Sequence, residues 1–264
     1  MLDVVNPYPP TPFQSLMFYC QDPVSMRRNE GEEFDQQPGA ILVGPQVSRV
    51  NIRVTRRLRA IRVDFMPGGL FRIMRVPMFE LLDGGYDAND FFGSAMKEVN
   101  EQLCNLSNLD DGISVVEKFL LKQVTDLQPT LPLDSALQVM LQKDGNIPIE
   151  QVASLSCLSL KQFERKCRER IGMNPKMYAR ILKFSKAYRL HEANPQLSWT
   201  KIAYEAGYFD QMHMIRDFKS FAGVNPSVIE RQLQSTPHPH AARPALLDCL
   251  FFTMSRAGCA ANFV

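Results

Sequence analysis

Histidine is scarce in this chain of 264 residues: there are four, His191, His213, His238 and His240, and all lie beyond residue 190. Everything before them therefore lacks an imidazole to ligate a metal or act as a general base. The six cysteines, Cys20, Cys104, Cys157, Cys167, Cys249 and Cys259, contain no CxxC pair and no ligand-like spacing, so they fit small core residues in a reducing compartment. Gly68-Gly69 and Gly84-Gly85 lack the spacing of a phosphate cradle and suit turns. Long apolar runs are missing too. The best, Leu246 to Met254, is interrupted by Asp248 and falls far short of the ~20 residues that span a bilayer. Pro7, Pro9, Pro10 and Pro12 break the N-terminal stretch where a targeting segment needs a basic start and an apolar core, and a cytoplasmic location is expected. These absences argue against an enzyme, against a membrane partner and for no cofactor.

What is present is a chain with 45% apolar and 22% charged residues, enough for two domains with real cores. The net charge of +2 conceals an asymmetry: residues 1–133 carry 13 basic against 17 acidic side chains, while residues 134–233 carry 15 against 10. A polyanion would dock on the second segment.

The first 70 residues or so read as strands and turns. Ile41-Leu42-Val43 is followed by Val50, Ile52 and Val54 alternating with Asn51 and Arg53, then by Leu58 to Phe65, the pattern of half-buried antiparallel strands. Arg53, Arg56, Arg57, Arg59 and Arg62 form either a solvated sheet face or an anionic effector site. Helical signals follow near Leu70 to Arg75, Phe91 to Leu106 and Ile113 to Val124. In the last of these, Val116, Phe119, Leu120 and Val124 share a stripe that can pack within the domain or form a dimer seam. Prolines within Thr125 to Pro132 mark a joint. The expected division is a β-rich domain with C-terminal helices over 1–128, an all-α domain over 133–233, and a poorly ordered tail over 234–264: an α+β, two-domain chain.

The all-α segment contains the same unit twice. Val152-Ala153 through Gly172-Met173-Asn174-Pro175 is echoed some fifty positions on by Ile202-Ala203 through Gly223-Val224-Asn225-Pro226. Ser159 and Asp210 are placed to cap the second helix of each unit, with Gly172 closing the first copy. Pro175 opens a long helix to about Asn194 that joins the two. A small residue at the helix crossing, an apolar inner set and a polar outer face make each unit a helix-turn-helix. In the first copy Val152, Ala153, Phe163, Cys167 and Ile171 face inward; in the second, Ile202, Ala203, Met214, Phe218 and Ala222 do so.

Two such heads on a stiff rod suit duplex DNA. Residues in the first turns of an inserted helix reach base edges, and flanking ones meet phosphate. Arg165 and Arg216 hold equivalent places and each can grip guanine; Gln211 suits adenine, Glu164 cytosine, and Met212 and Ile215 thymine methyls. Lys161 lies on the same outer face as Arg165. Ser159, Arg168, Lys201 and Lys219 are expected on the sugar-phosphate backbone. The competing reading is a helical repeat that binds a protein partner, which a shallow salt dependence would reveal.

Residues from about Asp134 to Gln232 resemble the DNA-binding domain of the AraC/XylS family of bacterial transcription regulators. The resemblance rests on Val152-Ala153 with Ser159 and Phe163, on Gly172-Met173-Asn174-Pro175 leading to Tyr178 and Arg180, and on Ile202 through Gln211 with Phe218-Lys219 and Gly223-Val224-Asn225-Pro226. It implies base contacts from Lys161, Glu164, Arg165, Gln211, Met212 and Arg216. Ser156-Cys157 stands where Ala-Gly is commoner in the family, and Cys167 where an aromatic is usual, which implies a looser first module. Phe65 to Arg72 with Val76-Pro77 is similar to a segment of members whose N-terminal domain is a cupin-like sensor. That likeness implies a small-molecule effector, homodimerisation, or both, and an activator that engages RNA polymerase.

Overall fold

The computed structural model describes residues 4–54, 58–106, 109–124, 127–228, 249–254 and 260–261. The N-terminal half is built from strands β1 (Val4–Tyr8), β2 (Gln14–Tyr19), β3 (Ser25–Arg27), β4 (Asp35–Gln36), β5 (Ala40–Val43), β6 (Val50–Val54), β7 (Ala60–Phe65) and β8 (Gly85–Asp87). One sheet runs β1-β6-β3-β4. A second runs β8-β5-β2-β7 and continues through β9 (Cys249–Met254) and β10 (Ala260–Ala261). All pairings are antiparallel except β7 with β9, which is parallel. The C-terminal stretch 234–264, expected to be poorly ordered, thus supplies two strands, and its remainder, with His238 and His240, lies outside the described residues.

Strand β7 departs from the half-buried pattern that its alternation implies. Both of its faces are covered, and Arg62 and Asp64 are buried along with Ile61, Val63 and Phe65. Their charges are matched locally: Arg62 Nε lies 2.7 Å from Asp64 Oδ1, the same oxygen accepts from Ser15 Oγ at 2.6 Å, and a second guanidinium nitrogen reaches the Tyr8 hydroxyl. A buried charge persists only when paired in this way. Nor do the arginines act as one group: Arg53 stacks on the Phe34 ring 3.8 Å away, Arg59 donates to the Leu106 carbonyl, and Arg56 and Arg57 lie outside the described residues. Among the described residues, Arg53, Arg59 and Arg62 form neither a common solvated face nor a single anion site.

Helices α1 (Gly69–Met74), α2 (Asn89–Phe92), α3 (Ser94–Cys104) and α4 (Leu109–Gln123) cover the larger sheet, with a 3₁₀ turn at Met78–Leu81. The helix expected from Phe91 to Leu106 is broken in two at Gly93, whose φ of 62° no ordinary helical residue adopts. Val116, Phe119 and Leu120 of the α4 stripe are buried in their own domain's core rather than left as a dimer seam.

The second core belongs to α5 (Pro132–Gln142), α6 (Ile149–Leu155), α7 (Leu160–Ile171), α8 (Pro175–Ala193), α9 (Trp199–Ala206) and α10 (Gln211–Phe221). No helix among the described residues is long and apolar enough to cross a membrane. The two halves touch through defined groups. Arg170 of α7 stacks on Phe71 of α1 at 4.4 Å and pairs with Asp134 of α5 at 3.2 Å, both charges being buried. Pro45 and the Met78 carbonyl press on Gly172, while Arg49 Nη1 donates to the Ala222 carbonyl at 3.3 Å. A short N-terminal segment therefore rests on the C-terminal end of both copies of the repeat.

Candidate nucleic-acid interface

Each copy is a short helix, a turn and a longer capped helix. In the first, Ser159 N-caps α7: its Oγ accepts from the Gln162 amide at 3.4 Å, while Gln162 Oε1 takes the Ser159 amide at 3.1 Å. That reciprocal arrangement satisfies two otherwise unpaired donors. Gly172 ends α7 at φ 80°. In the second, Ser198 caps α9, and Asp210 Oδ1 accepts the His213 amide at 2.8 Å to start α10. The same amide, with the His213 ring beside it, holds the Asp210 carboxyl below its ordinary value.

Burial separates an inner from an outer face as the periodicity demands. All ten inward residues expected from the sequence are buried, and the structure adds Phe184, Phe221 and Tyr208 to them. Lys161, Arg165 and Arg168 are exposed on α7, with Glu164 half-buried among them. On α10, Met212, Arg216 and Lys219 are exposed and Ile215 is half-buried. Gln211 is half-buried, and its Oε1 accepts from Thr200 Oγ1 at 2.8 Å, so a grip on adenine must share or release that oxygen. Lys201 is exposed, 3.9 Å from Glu205. Ser159 spends its hydroxyl on its cap and on Gln162.

The surroundings of the two outer faces differ. Lys161, Glu164, Arg165 and Arg168 line a cleft of about 1060 Å³ whose far side carries Val47, Phe79 and Leu82 of the N-terminal half. The α10 face has no such neighbour among the described residues. Three apolar side chains there stand clear of any core: Phe209 is 94% exposed, Tyr204 84% and Met212 56%. The exposure of Phe209 and Tyr204 is not signalled by the sequence.

The joint between the heads is held by polar groups that the apolar pattern does not reveal. Arg180 of α8 grips Asp217 of α10 through Nε and Nη2 at 3.0 and 2.7 Å. Lys183 Nζ donates to the Gly207 carbonyl at 2.9 Å, and Asn146 Nδ2 to the Ala206 carbonyl at 3.0 Å, tying the end of α9 to the first copy's side. His191 of α8 is buried with its ring 4.2 Å from that of Trp199.

With this geometry in place, comparison with known proteins is informative. Residues 152–232, which contain both copies, match the family model described as "Helix-turn-helix domain", of AraC type. The C-terminal region is an AraC-type helix-turn-helix domain. The chain also aligns with an uncharacterised HTH-type transcriptional regulator of Haemophilus influenzae, 33% identical over 96 residues. That alignment spans 36% of this chain and about a third, 32%, of the relative. Among solved structures, the DNA-binding domain of AdpA in complex with a target DNA is 21% identical, with 44% of this chain and 98% of that one covered and a TM-score of 0.38. ToxT from Vibrio cholerae is 12% identical in one structure, with 88% and 100% covered and a TM-score of 0.48.

In the N-terminal half, a narrow cavity of about 50 Å³ lies between the sheets, lined by Tyr8, Ser15, Gln46, Arg62 and apolar neighbours. Asp64 balances Arg62, and Arg28 and Asp83 add one charge of each sign to the lining.

Proposed function

We propose that the chain is a sequence-specific DNA-binding transcriptional regulator, an activator, that inserts α7 and α10 into adjacent major-groove segments on one side of a duplex. The observation that carries this reading is the pair of matched heads, each capped, each with its apolar face buried and its polar face exposed, joined by one continuous helix braced at Asp217 and Gly207. Arg165 and Arg216 read guanine, Gln211 adenine, Glu164 cytosine, and Met212 and Ile215 thymine methyls, with Lys161 beside Arg165 at the base edges. Ser159, Arg168, Lys201 and Lys219 hold the backbone. The first head faces the N-terminal half across its cleft, so full insertion of α7 requires the two halves to part or the duplex to slide between them.

The β-rich half serves as the regulatory domain, with the cavity between its sheets as the effector site and a small polar molecule as the ligand class. Homodimerisation and contact with RNA polymerase complete the reading. The test is selection from a random duplex pool with the full chain, followed by binding to the selected sequence at several salt concentrations. A shared motif bound with log K falling by about 0.9 per phosphate contact supports the proposal. Absence of any enriched motif, with weak and salt-insensitive binding, refutes it.

A further inference from the structure

The two heads differ in what they carry at their tips. Around α7 the cap is the neutral Ser159, and Lys161, Arg165 and Arg168 follow on the outer face. Around α10 the cap is the acidic Asp210, and the side chains standing clear beside it are Phe209 and Met212, with the first cation, Arg216, more than a turn further on. An anionic cap repels phosphate, and a phenyl ring gains nothing from a phosphate oxygen. The apolar group that a major groove does offer is the C5-methyl of thymine.

Phe209 is also held in place rather than waving free. Its ring meets the edge of the His213 ring at 6.0 Å between centroids, and His213 Nδ1 lies 2.8 Å from Asp210 Oδ1. The cap that starts the helix thus orients the ring in front of it. Tyr208, next in the chain, points the other way into the core, its amide bonded to the Ala203 carbonyl at 2.9 Å.

We propose that Phe209 is a specificity-determining residue of the second head, its ring seating with Met212 on thymine methyl groups, so that this head selects in part by apolar contact. This rests on the DNA reading above. It extends the reading to a residue in the turn before α10.

The experiment uses the full chain and its selected duplex, with thymines under the second head replaced one at a time by deoxyuridine, which removes only the methyl. Wild type should lose about three- to fivefold in affinity at one or two of these positions, the worth of a buried methyl. Phe209→Ala should bind the thymine duplex about as weakly as wild type binds the deoxyuridine one, and be indifferent to the replacement. Its salt slope should equal that of wild type, whereas Arg168→Ala, which removes a backbone contact, should lower the slope by about one contact. Phe209→Ala binding like wild type, or staying sensitive to deoxyuridine, overturns the proposal; so does a selected second half-site with no thymine. Loss of transcription with unchanged DNA binding would also overturn it and assign the ring to a protein partner. A wild-type chain that binds no duplex fails the DNA reading itself, a result distinct from all of these.

Discussion

Cys157 and Gly207 occupy the same place in the two copies, and both turn the chain through positive φ, 57° and 84° respectively. Each is followed by a residue whose amide returns to the small residue of the crossing, Leu158 to Ala153 and Tyr208 to Ala203. Glycine adopts this conformation freely, whereas a residue with a Cβ is strained there by ~1–2 kcal/mol. The first copy carries that strain and the second does not.

Replacing Cys157 by Gly should therefore stabilise the helical domain, by about 0.5–1 kcal/mol once the extra freedom of glycine in the unfolded chain is counted. The side chain is exposed, so no packing is lost. Gly207→Ala should act in the opposite sense and more strongly, by about 2 kcal/mol or more, because a Cβ there meets the Asn146 carboxamide as well as the strained backbone. Thermal and denaturant unfolding of the two variants measures both signs.

Two nitrogens of Arg180 donate to one oxygen, Oδ1, of the nearly buried carboxylate of Asp217. Arg180→Ala leaves that charge without its partner and should cost about 2 kcal/mol. Adding Asp217→Ala should then cost less than the sum of the two single changes, and a double-mutant cycle on unfolding free energies shows the coupling directly. DNA affinity should fall with Arg180→Ala even where the domain stays folded, because α10 loses its bearing on α8.

At the junction of the two halves, Arg170 pairs with Asp134 and stacks on Phe71. Arg170→Ala should destabilise the chain by roughly 3 kcal/mol, the cost of an orphaned buried charge. Hydrogen exchange should rise in α1 and α7 together, which a purely local defect in α7 would not produce.

The cap at Asp210 makes a pH prediction. Its carboxyl is held below the ordinary value of 3.8, chiefly by the His213 amide, so it binds protons less readily folded than unfolded. A depressed folded value means that the stabilisation is present in full above the unfolded pKa and fades as pH falls through the folded one. Wild type should therefore be more stable than Asp210→Ala at neutral pH, and the two should converge in the acid range below the ordinary carboxylate value. Equal stability at neutral pH would show the cap to be idle.

The elements that were readable from the sequence are those governed by local chemistry. Ser159 and Asp210 cap because a short polar side chain ahead of an apolar period can do little else there, and Gly172 adopts the left-handed turn that follows its helix. The inner faces were legible for the same reason, since the helical period fixes them within one turn. What escaped depends on partners distant in the chain. Arg62 looks like a surface residue until Tyr8 and Thr11 are brought over it by the β1–β2 segment. The meeting of Val47, Phe79 and Leu82 with the α7 face follows from how two domains dock, which no local pattern encodes. Tyr208 and Phe209 are adjacent aromatics, and only the tertiary fold decides which ring enters the core.

The central claim is that two equivalent arginines on a braced rod read two sites one turn of DNA apart. Competition binding on the selected duplex, with each base pair varied in turn, measures this for Arg165→Ala and Arg216→Ala. Each variant should lose about 1–3 kcal/mol of discrimination at a single guanine, and the two guanines should lie roughly ten base pairs apart. Unchanged preference in both variants, or loss at the same position in each, would contradict it.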